Sequence, residues 1–248
     1  MLASIEHKGH TYKVNLSEPI DISLPLQAGK ENVNAFHLSP MKIEPFRIGS
    51  FVGSVAEGGP CNVNNILFNP HGNGTHTESV GHISKRAFPI HKCLQHFFFI
   101  AELVSMSPEL REGDAVISLS QIKAKLGSKS PEAIIIRTNP NEPSKMTRQY
   151  SGTNPAYLDH EAAKFLATSG VQHLLLDLPS VDKEEDGGKL SAHHQFWNYP
   201  SAPREDCTIT ELIYVPDEVI DGTYLLNIQI ASFMNDASPS KPILYKFF

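Results

Sequence analysis

Residues 71–82 read HGNGTHTESVGH, and the rest of the chain can be organised around this stretch. It contains three histidines and one glutamate, and its glycines permit tight backbone turns. His76 and Glu78 are two residues apart, so their side chains leave the same face of an extended segment. Imidazole nitrogens and carboxylate oxygens are ligands that divalent transition metals prefer. The stretch therefore predicts a metal site, with His71 brought towards His76 by an irregular loop.

The composition of this stretch favours a catalytic metal over a structural one. Three nearby ligands leave room in the metal shell for a water molecule, whose pKa a catalytic zinc lowers to about 7. Structural zinc sites usually contain cysteine thiolates, but Cys61, Cys93 and Cys207 all lie outside the stretch and form no CxxC pair. A helical zincin motif is excluded, because it needs two histidines one turn apart with no glycines between them.

The chain has 248 residues, of which 40% are hydrophobic, and a formal net charge of −6. This ordinary apolar content predicts a globular protein with a sizeable core. The lack of a long basic run argues against nucleic acid as the main partner. The first residues contain no apolar region of signal-peptide length, and no apolar run is long enough to span a bilayer. With its scattered cysteines, the chain is expected to be a cytoplasmic protein with no membrane partner.

The apolar pattern predicts more strands than helices. Helices are expected at residues 118–127 and 159–170, each closed by a glycine. Because helices lie between some of the strands, we expect one α/β or α+β domain over residues 1–248, built on a central mixed sheet. The expected strands cover residues 11–16, 62–68, 97–104, 133–138, 171–178, 208–215, 223–231 and 243–248.

The histidine stretch resembles the signature of the metal-dependent cyclase family, which includes bacterial kynurenine formamidase (arylformamidase). That signature reads His-x-Gly-Thr-His-x-Asp-x-Pro-x-His, and Gly74, Thr75, His76 and His82 fall at its spacing. The resemblance implies a swivelling β/β/α fold around a mixed sheet, and a homodimer. Further blocks resemble the family in the same order, at residues 21–25, 135–138, 177–182, 192–193 and 209–212.

The resemblance also implies a role for each matched residue. His82 matches the family's acid/base histidine, which takes a proton from the attacking water and returns it to the leaving amine. One or two divalent ions are implied, with Zn²⁺ as the first expectation and Mn²⁺ as the second. Where two ions are bound, Glu78 would bridge them. The implied metal ligands are His71, His76, Glu78, His193 and Glu211.

Three departures from the family pattern lie within the stretch. One residue is inserted between His71 and His76, Glu78 replaces an aspartate, and Val80 stands where the family has proline. None of these changes removes a type of metal ligand. The site is therefore expected to be retained in a divergent subgroup of the family.

The implied reaction is hydrolysis of a C–N bond in a linear or cyclic amide by metal-activated water, with N-formylkynurenine as the best-known substrate type. The same fold and metal could instead open a lactam or lactone, or run a cyclisation. A protein that only binds a metal or small ligand is the non-enzyme alternative, although such a protein has no need of His82.

The roles of one histidine pair and one acid have alternatives in the sequence. His194 is the alternative to His193 as a ligand, and Glu211 could lie at a water-facing strand edge. The histidines expected to be ordinary structural or surface residues are His91, His96, His160 and His173.

Overall fold

The computed structural model describes residues 1–248, and strands make up most of its regular structure. The α-helices are α1 Pro70–Asn73, α2 Ile90–Cys93, α3 Leu119–Leu126, α4 His160–Thr168 and α5 Ser191–Trp197. The strands are β1 Leu2–His7, β2 His10–Asn15, β3 Ile20–Asp21, β4 Lys42–Pro45, β5 Arg47–Ile48, β6 Phe51–Val52, β7 Asn64–Leu67, β8 His76–Glu78, β9 Phe98–Met106, β10 Glu109–Arg111, β11 Asp114–Ile117, β12 Ala133–Thr138, β13 Tyr157–Leu158, β14 His173–Leu176, β15 Thr208–Glu211, β16 Gly222–Ile230 and β17 Ala237–Lys246.

Seven strands close into a barrel-like mixed sheet in the order β16, β9, β12, β14, β15, β8 and β17. The ring closes because the long strand β17 pairs with β8 near its start and with β16 over the rest of its length. Strands β9, β12, β14 and β15 run parallel to one another, and the other pairs in the ring are antiparallel. The mixed α/β fold predicted from the sequence is therefore confirmed.

Strand β12 shows why the central strands are apolar on both faces. Ile134 and Ile136 pack into the core between the sheet and the helices, together with α4 residues such as Leu166. Ala133 and Ile135 alternate with them and pack into a second core with other barrel strands. A strand buried on both faces is a continuous apolar run, as parallel strands usually are. The predicted strand at residues 133–138 matches β12 at both ends.

The two predicted helices begin at residues whose side chains cap them. Ser118 and Gln121 form a capping box at the start of α3, which ends before Gly127. Asp159 accepts a hydrogen bond from the Glu161 N–H at the start of α4. Helix α4 packs against both α3 and α5, so the three helices form one layer outside the barrel. Both helix predictions are confirmed.

Several predicted elements differ from the structure in their ends or their regularity. Strand β15 stops at Glu211, not at residue 215, because Leu212 adopts a φ of 55° and donates its N–H to the Leu178 carbonyl. Strand β17 begins at Ala237, six residues before the predicted start. The expected irregular loop at residues 71–82 is more regular than predicted, with α1, β8 and a 3₁₀ turn at Val80–His82.

Strand β7, which corresponds to the prediction at residues 62–68, lies outside the barrel. It pairs with β4 in a two-stranded ribbon, and all four of its residues are exposed. The chain then passes through α1 before it enters the barrel at β8. None of the helices has both the length and the apolar character that a membrane crossing requires.

Candidate metal-dependent active site

Strand β8 brings the centre of the histidine stretch into the barrel. It lies between β15 and β17, with His76 opposite Glu211 and Glu78 opposite Ala237. His76 and Glu78 are completely buried and point to the same side, as their spacing predicts. Their ligand atoms, His76 Nε2 and Glu78 Oε2, lie 3.9 Å apart.

The helical turn α1 places His71 beside this pair. The Asn69 side chain accepts a hydrogen bond from the His71 N–H and caps the turn. Gly72 lies close to its neighbours, since a Cβ would lie 2.5 Å from a side-chain carbon of Leu38 and 3.0 Å from the Ala35 carbonyl oxygen. The turn therefore docks closely on the neighbouring loop.

His193 enters the site from α5, and Asp182 fixes its orientation. Asp182 Oδ2 lies 2.6 Å from His193 Nδ1 and accepts the His193 N–H, while Oδ1 accepts the Ala192 N–H. His193 Nε2 then lies 3.1 Å from Glu78 Oε1. The adjacent His194 instead directs Nδ1 to the Tyr199 carbonyl at 3.0 Å. Of the two histidines left open by the sequence, the structure brings His193 into the site.

Glu211 completes the buried part of the cluster. Its Oε1 accepts a hydrogen bond of 2.8 Å from the Val181 N–H, and its Oε2 lies 3.4 Å from His76 Nε2. The side chain is only 4% exposed, so the alternative of a water-facing edge is wrong. All five residues expected to bind metal therefore lie within one cluster.

His82 lies at the solvent side of the cluster. Its Nδ1 is 3.6 Å from Glu78 Oε2 and 3.4 Å from the carboxylate of Asp236. Asp236 also lies 3.0 Å from His71 Nε2, and the sequence did not single it out. It immediately precedes β17, so only the pairing of β17 with β8 brings it to the site.

The electrostatics of the cluster favour positive charge at its centre. Burial opposes ionisation of Glu78, but the surrounding histidines His82, His193 and His71 hold its pKa well below the usual value. Burial likewise opposes protonation of His71 and His193, yet their carboxylate neighbours raise the pKa of each to about 10.

Two buried atoms show that the donor set fits a cation. His76 Nε2 and Glu78 Oε2 are inaccessible to solvent, and neither makes a hydrogen bond of normal geometry, although His71 Nδ1 lies 3.0 Å from Glu78 Oε2. Buried polar atoms without partners are costly, and a divalent cation between them would satisfy both. Ligand atoms of His71, His76 and Glu78 lie within 4.8 Å of one another, as do those of Glu78, His82 and His193. Glu78 belongs to both groups, so its two oxygens could reach two ions.

A cavity of about 570 Å³ opens onto this cluster, a size that suits a small-molecule ligand. His71, His82, His193 and Glu211 lie in its wall, and the polar loop at residues 183–190 forms much of the rest. Phe36 and Leu190 are its two hydrophobic lining residues. Both have positive φ values, 57° and 44°, which bulky residues rarely adopt. The arrangement can therefore hold a small organic molecule next to a metal centre.

Comparison with known proteins agrees with the fold. The family model described as "Putative cyclase" matches residues 15–183. The sequence matches no curated protein.

Solved structures share the fold over nearly the whole chain. A protein described as a predicted metal-dependent hydrolase from Bacillus stearothermophilus has 16% identity and a TM-score of 0.62, with 92% of this chain and 98% of that chain covered. Isatin hydrolase A from Ralstonia solanacearum has 12% identity and a TM-score of 0.67, with 92% and 91% covered. An isatin hydrolase bound to the product analogue thioisatinate has 15% identity and a TM-score of 0.65, with 93% of each chain covered.

Proposed function

Because this chain belongs to the cyclase family, we propose that it is a metal-dependent hydrolase that cleaves the C–N bond of a linear or cyclic amide. One observation carries the proposal. His76 Nε2 and Glu78 Oε2 are buried without a hydrogen bond of normal geometry, at the centre of a ring of imidazoles and carboxylates that opens onto a cavity. Such a ring favours a divalent cation, and the cavity gives a substrate access to it.

The chain's own residues divide into ligands and a proton carrier. The proposed ligands would hold one or two ions, with Glu78 able to serve both where two are bound and Zn²⁺ favoured over Mn²⁺. When bound, the metal supplies a Lewis acid and a water of lowered pKa. The ligands are His71, His76, Glu78, His193 and Glu211.

His82 is the proposed acid and base of the reaction. Its side chain is 28% exposed and lines the cavity, so it can reach a substrate while it stays next to the metal ligands. In this role the imidazole accepts a proton from the attacking water and donates it to the leaving nitrogen.

The substrate is proposed as a small amide. An arylformamide such as N-formylkynurenine follows from the family resemblance. The structurally similar isatin hydrolases favour a second candidate, a lactam, because isatin is itself a cyclic amide. Phe36 and Leu190 offer the apolar contacts that either substrate's ring would need, in a cavity that is otherwise polar.

A hydrolysis screen with Zn²⁺ or Mn²⁺ supplied tests the proposal. The panel contains aryl formamides, lactams and lactones, and each reaction is repeated after treatment with a chelator. We expect hydrolysis of at least one amide class that is lost with the chelator and restored by the metal. Turnover of lactones alone would contradict C–N cleavage. A metal-loaded protein that turned over none of the panel would favour the binding-protein alternative.

The homodimer and the cytoplasmic location stay predictions. Sedimentation equilibrium of the purified protein tests the first, since a chain of 27.4 kDa would give twice that mass as a homodimer.

A further inference from the structure

We infer that Asp236 is a positioning residue of this site, whose carboxylate orients the rings of His71 and His82. The inference rests on the proposed function, because it concerns how a metal ligand and the proton carrier are held. Asp236 lies more than 150 positions from both histidines in the chain and was not among the expected site residues.

The backbone at Asp236 is held firmly against the histidine stretch. Its carbonyl accepts the Ser79 N–H at 3.0 Å and the Ser79 hydroxyl at 3.3 Å. On the preceding residue, the Asn235 carbonyl accepts the Ile90 N–H at 2.7 Å. A Cβ on Gly81 would lie 3.1 Å from the Asp236 Cβ, so glycine leaves room for the aspartate. The carboxylate is therefore presented at a fixed place beside the two histidines.

One carboxylate oxygen serves both rings. Asp236 Oδ2 lies 3.0 Å from His71 Nε2 and 3.4 Å from His82 Nδ1. The two rings stack beside each other, with centroids 4.4 Å apart and planes tilted by 33°. A carboxylate oxygen only accepts hydrogen bonds, so His82 faces Asp236 with an N–H on Nδ1. When a metal occupies His71 Nδ1, the one remaining His71 proton lies on Nε2 and faces Asp236.

This placement decides which ring nitrogens are free for chemistry. With its proton on Nε2, a neutral His71 keeps the lone pair on Nδ1, which lies 3.0 Å from Glu78 Oε2 at the proposed metal position. With its proton on Nδ1, a neutral His82 keeps a lone pair on Nε2 to accept a proton. A carboxylate behind a metal-bound histidine commonly fixes its tautomer and ring orientation in this way. Asp236 fixes the tautomer and the ring orientation of both His71 and His82.

The alternative is that Asp236 is itself a metal ligand, since its carboxylate lies within 4.8 Å of ligand atoms on His71 and His82. If His71 bound that ion through Nε2 and the central ion through Nδ1, it would have to lose both ring protons. Asp236 as a hydrogen-bond acceptor needs no such deprotonation and is the arrangement we propose. Binding of an additional ion at Asp236 is an outcome that the experiment distinguishes.

The experiment compares Asp236→Ala and Asp236→Asn with the wild-type protein, all loaded with zinc. The matched control is Asp206→Asn, an exposed aspartate outside the cluster. Zinc affinity is measured by competition with a chelator, and zinc per chain is measured at saturation. The tautomer of His82 is read from long-range ¹H–¹⁵N correlation spectra, with His82→Gln used to assign its signals. Circular dichroism checks that each variant is folded.

We expect Asp236→Ala to bind zinc about 10–100-fold more weakly, with the same number of ions at saturation. The His82 signals should lose the form protonated on Nδ1 alone. Asp236→Asn keeps one acceptor oxygen, so its zinc affinity should lie between those of Asp236→Ala and the wild type. If the alanine variant does not fold, the asparagine variant alone provides the test. Asp206→Asn should match the wild type.

Two results would overturn the inference. Unchanged affinity and an unchanged His82 tautomer would show that Asp236 positions neither ring. One ion fewer per chain at saturating zinc would show that Asp236 is a ligand instead. A wild-type protein that bound no zinc would reject the proposed function itself, and that result is seen before any variant is compared.

Discussion

Two buried histidines, His193 in the metal site and His173 at the start of β14, have opposite charge preferences. Burial opposes the charged form of His193, but Asp182, Glu78 and Glu211 surround it and raise its pKa to about 10. Burial also opposes the charged form of His173, and there it prevails, lowering the pKa to about 3. The difference lies in their neighbours, not in their burial.

The surroundings of His173 explain its neutral state. The Phe99 ring lies with its centroid 3.9 Å from that of the imidazole, and Nδ1 bonds to the Thr208 hydroxyl at 2.8 Å. His173 pairs with the first residue of β15, whereas Glu211 is the last residue of the same strand. Positive charge is thus favoured at one end of β15 and excluded at the other. The comparison teaches that clustered carboxylates, and not histidines alone, locate the metal site.

The largest expected effect is the loss of bound metal when a histidine of the metal site is replaced, compared with replacement of His173. We expect His76→Ala to lose most of its bound metal and its hydrolytic activity, because a centrally placed ligand is removed. Metal stabilisation of a transition state is worth several kcal/mol, so the activity should fall by at least about 10³-fold. Metal analysis by plasma mass spectrometry and initial-rate assays provide the measurements.

The matched variant at the other end is His173→Gln. It also removes a buried histidine, yet the protein should keep its full metal content because no carboxylate ring surrounds that position. Equal loss of metal in both variants would break the comparison, since it would show that the effect comes from general damage to the fold.

The next effect is on turnover without loss of metal. We expect His82→Gln to keep the wild-type metal content and to lower kcat by about 10²–10⁴-fold, the usual contribution of a general acid or base. His82 is partly exposed at the edge of the cluster, so its replacement leaves the buried ligands in place. Unchanged kcat in the metal-loaded variant would rule out the proton-transfer role.

Much of this end of the barrel was predictable from the sequence because its parts follow local patterns. His76 and Glu78 share a face through their spacing, and the blocks at residues 192–193 and 209–212 resemble family motifs. Asp236 was not predictable. The start of β17 contains Pro239 and little apolar alternation, so it does not resemble a strand. The start of β17 lies beside Glu78 only because it pairs with β8, which is far away in the sequence.

A smaller effect concerns the residue that orients His193. We expect Asp182→Asn to weaken metal binding by about 10–100-fold while the protein stays folded, because the Nδ1 contact of 2.6 Å loses its charge. Competition with a chelator measures the affinity. Asp114→Asn is a suitable control, as that aspartate pairs with Lys183 and contacts no ligand histidine. A wild-type affinity in Asp182→Asn would mean that α5 alone fixes the His193 ring.

The smallest effect is the pH dependence of stability that arises from His173. Because the pKa of this histidine is about 3 in the folded protein and 6.5 ordinarily, protons bind the unfolded chain first as the pH falls. Its contribution to stability is therefore complete above pH 6.5 and declines below it, by about 1.4 kcal/mol per pH unit until the pH nears 3. His173→Gln lacks this titration, so the stability difference between wild type and variant should shrink as the pH falls from 7 to 5.

Urea unfolding at pH 7, 6 and 5, with a chelator present throughout, measures this difference. The carboxylates and the histidines of the metal site titrate in both proteins, so their effects cancel in the comparison. Parallel stability curves for the two proteins would show that His173 can take up a proton without cost. In that case the two ends of β15 would not differ in charge preference, and the contrast between His173 and His193 would fail.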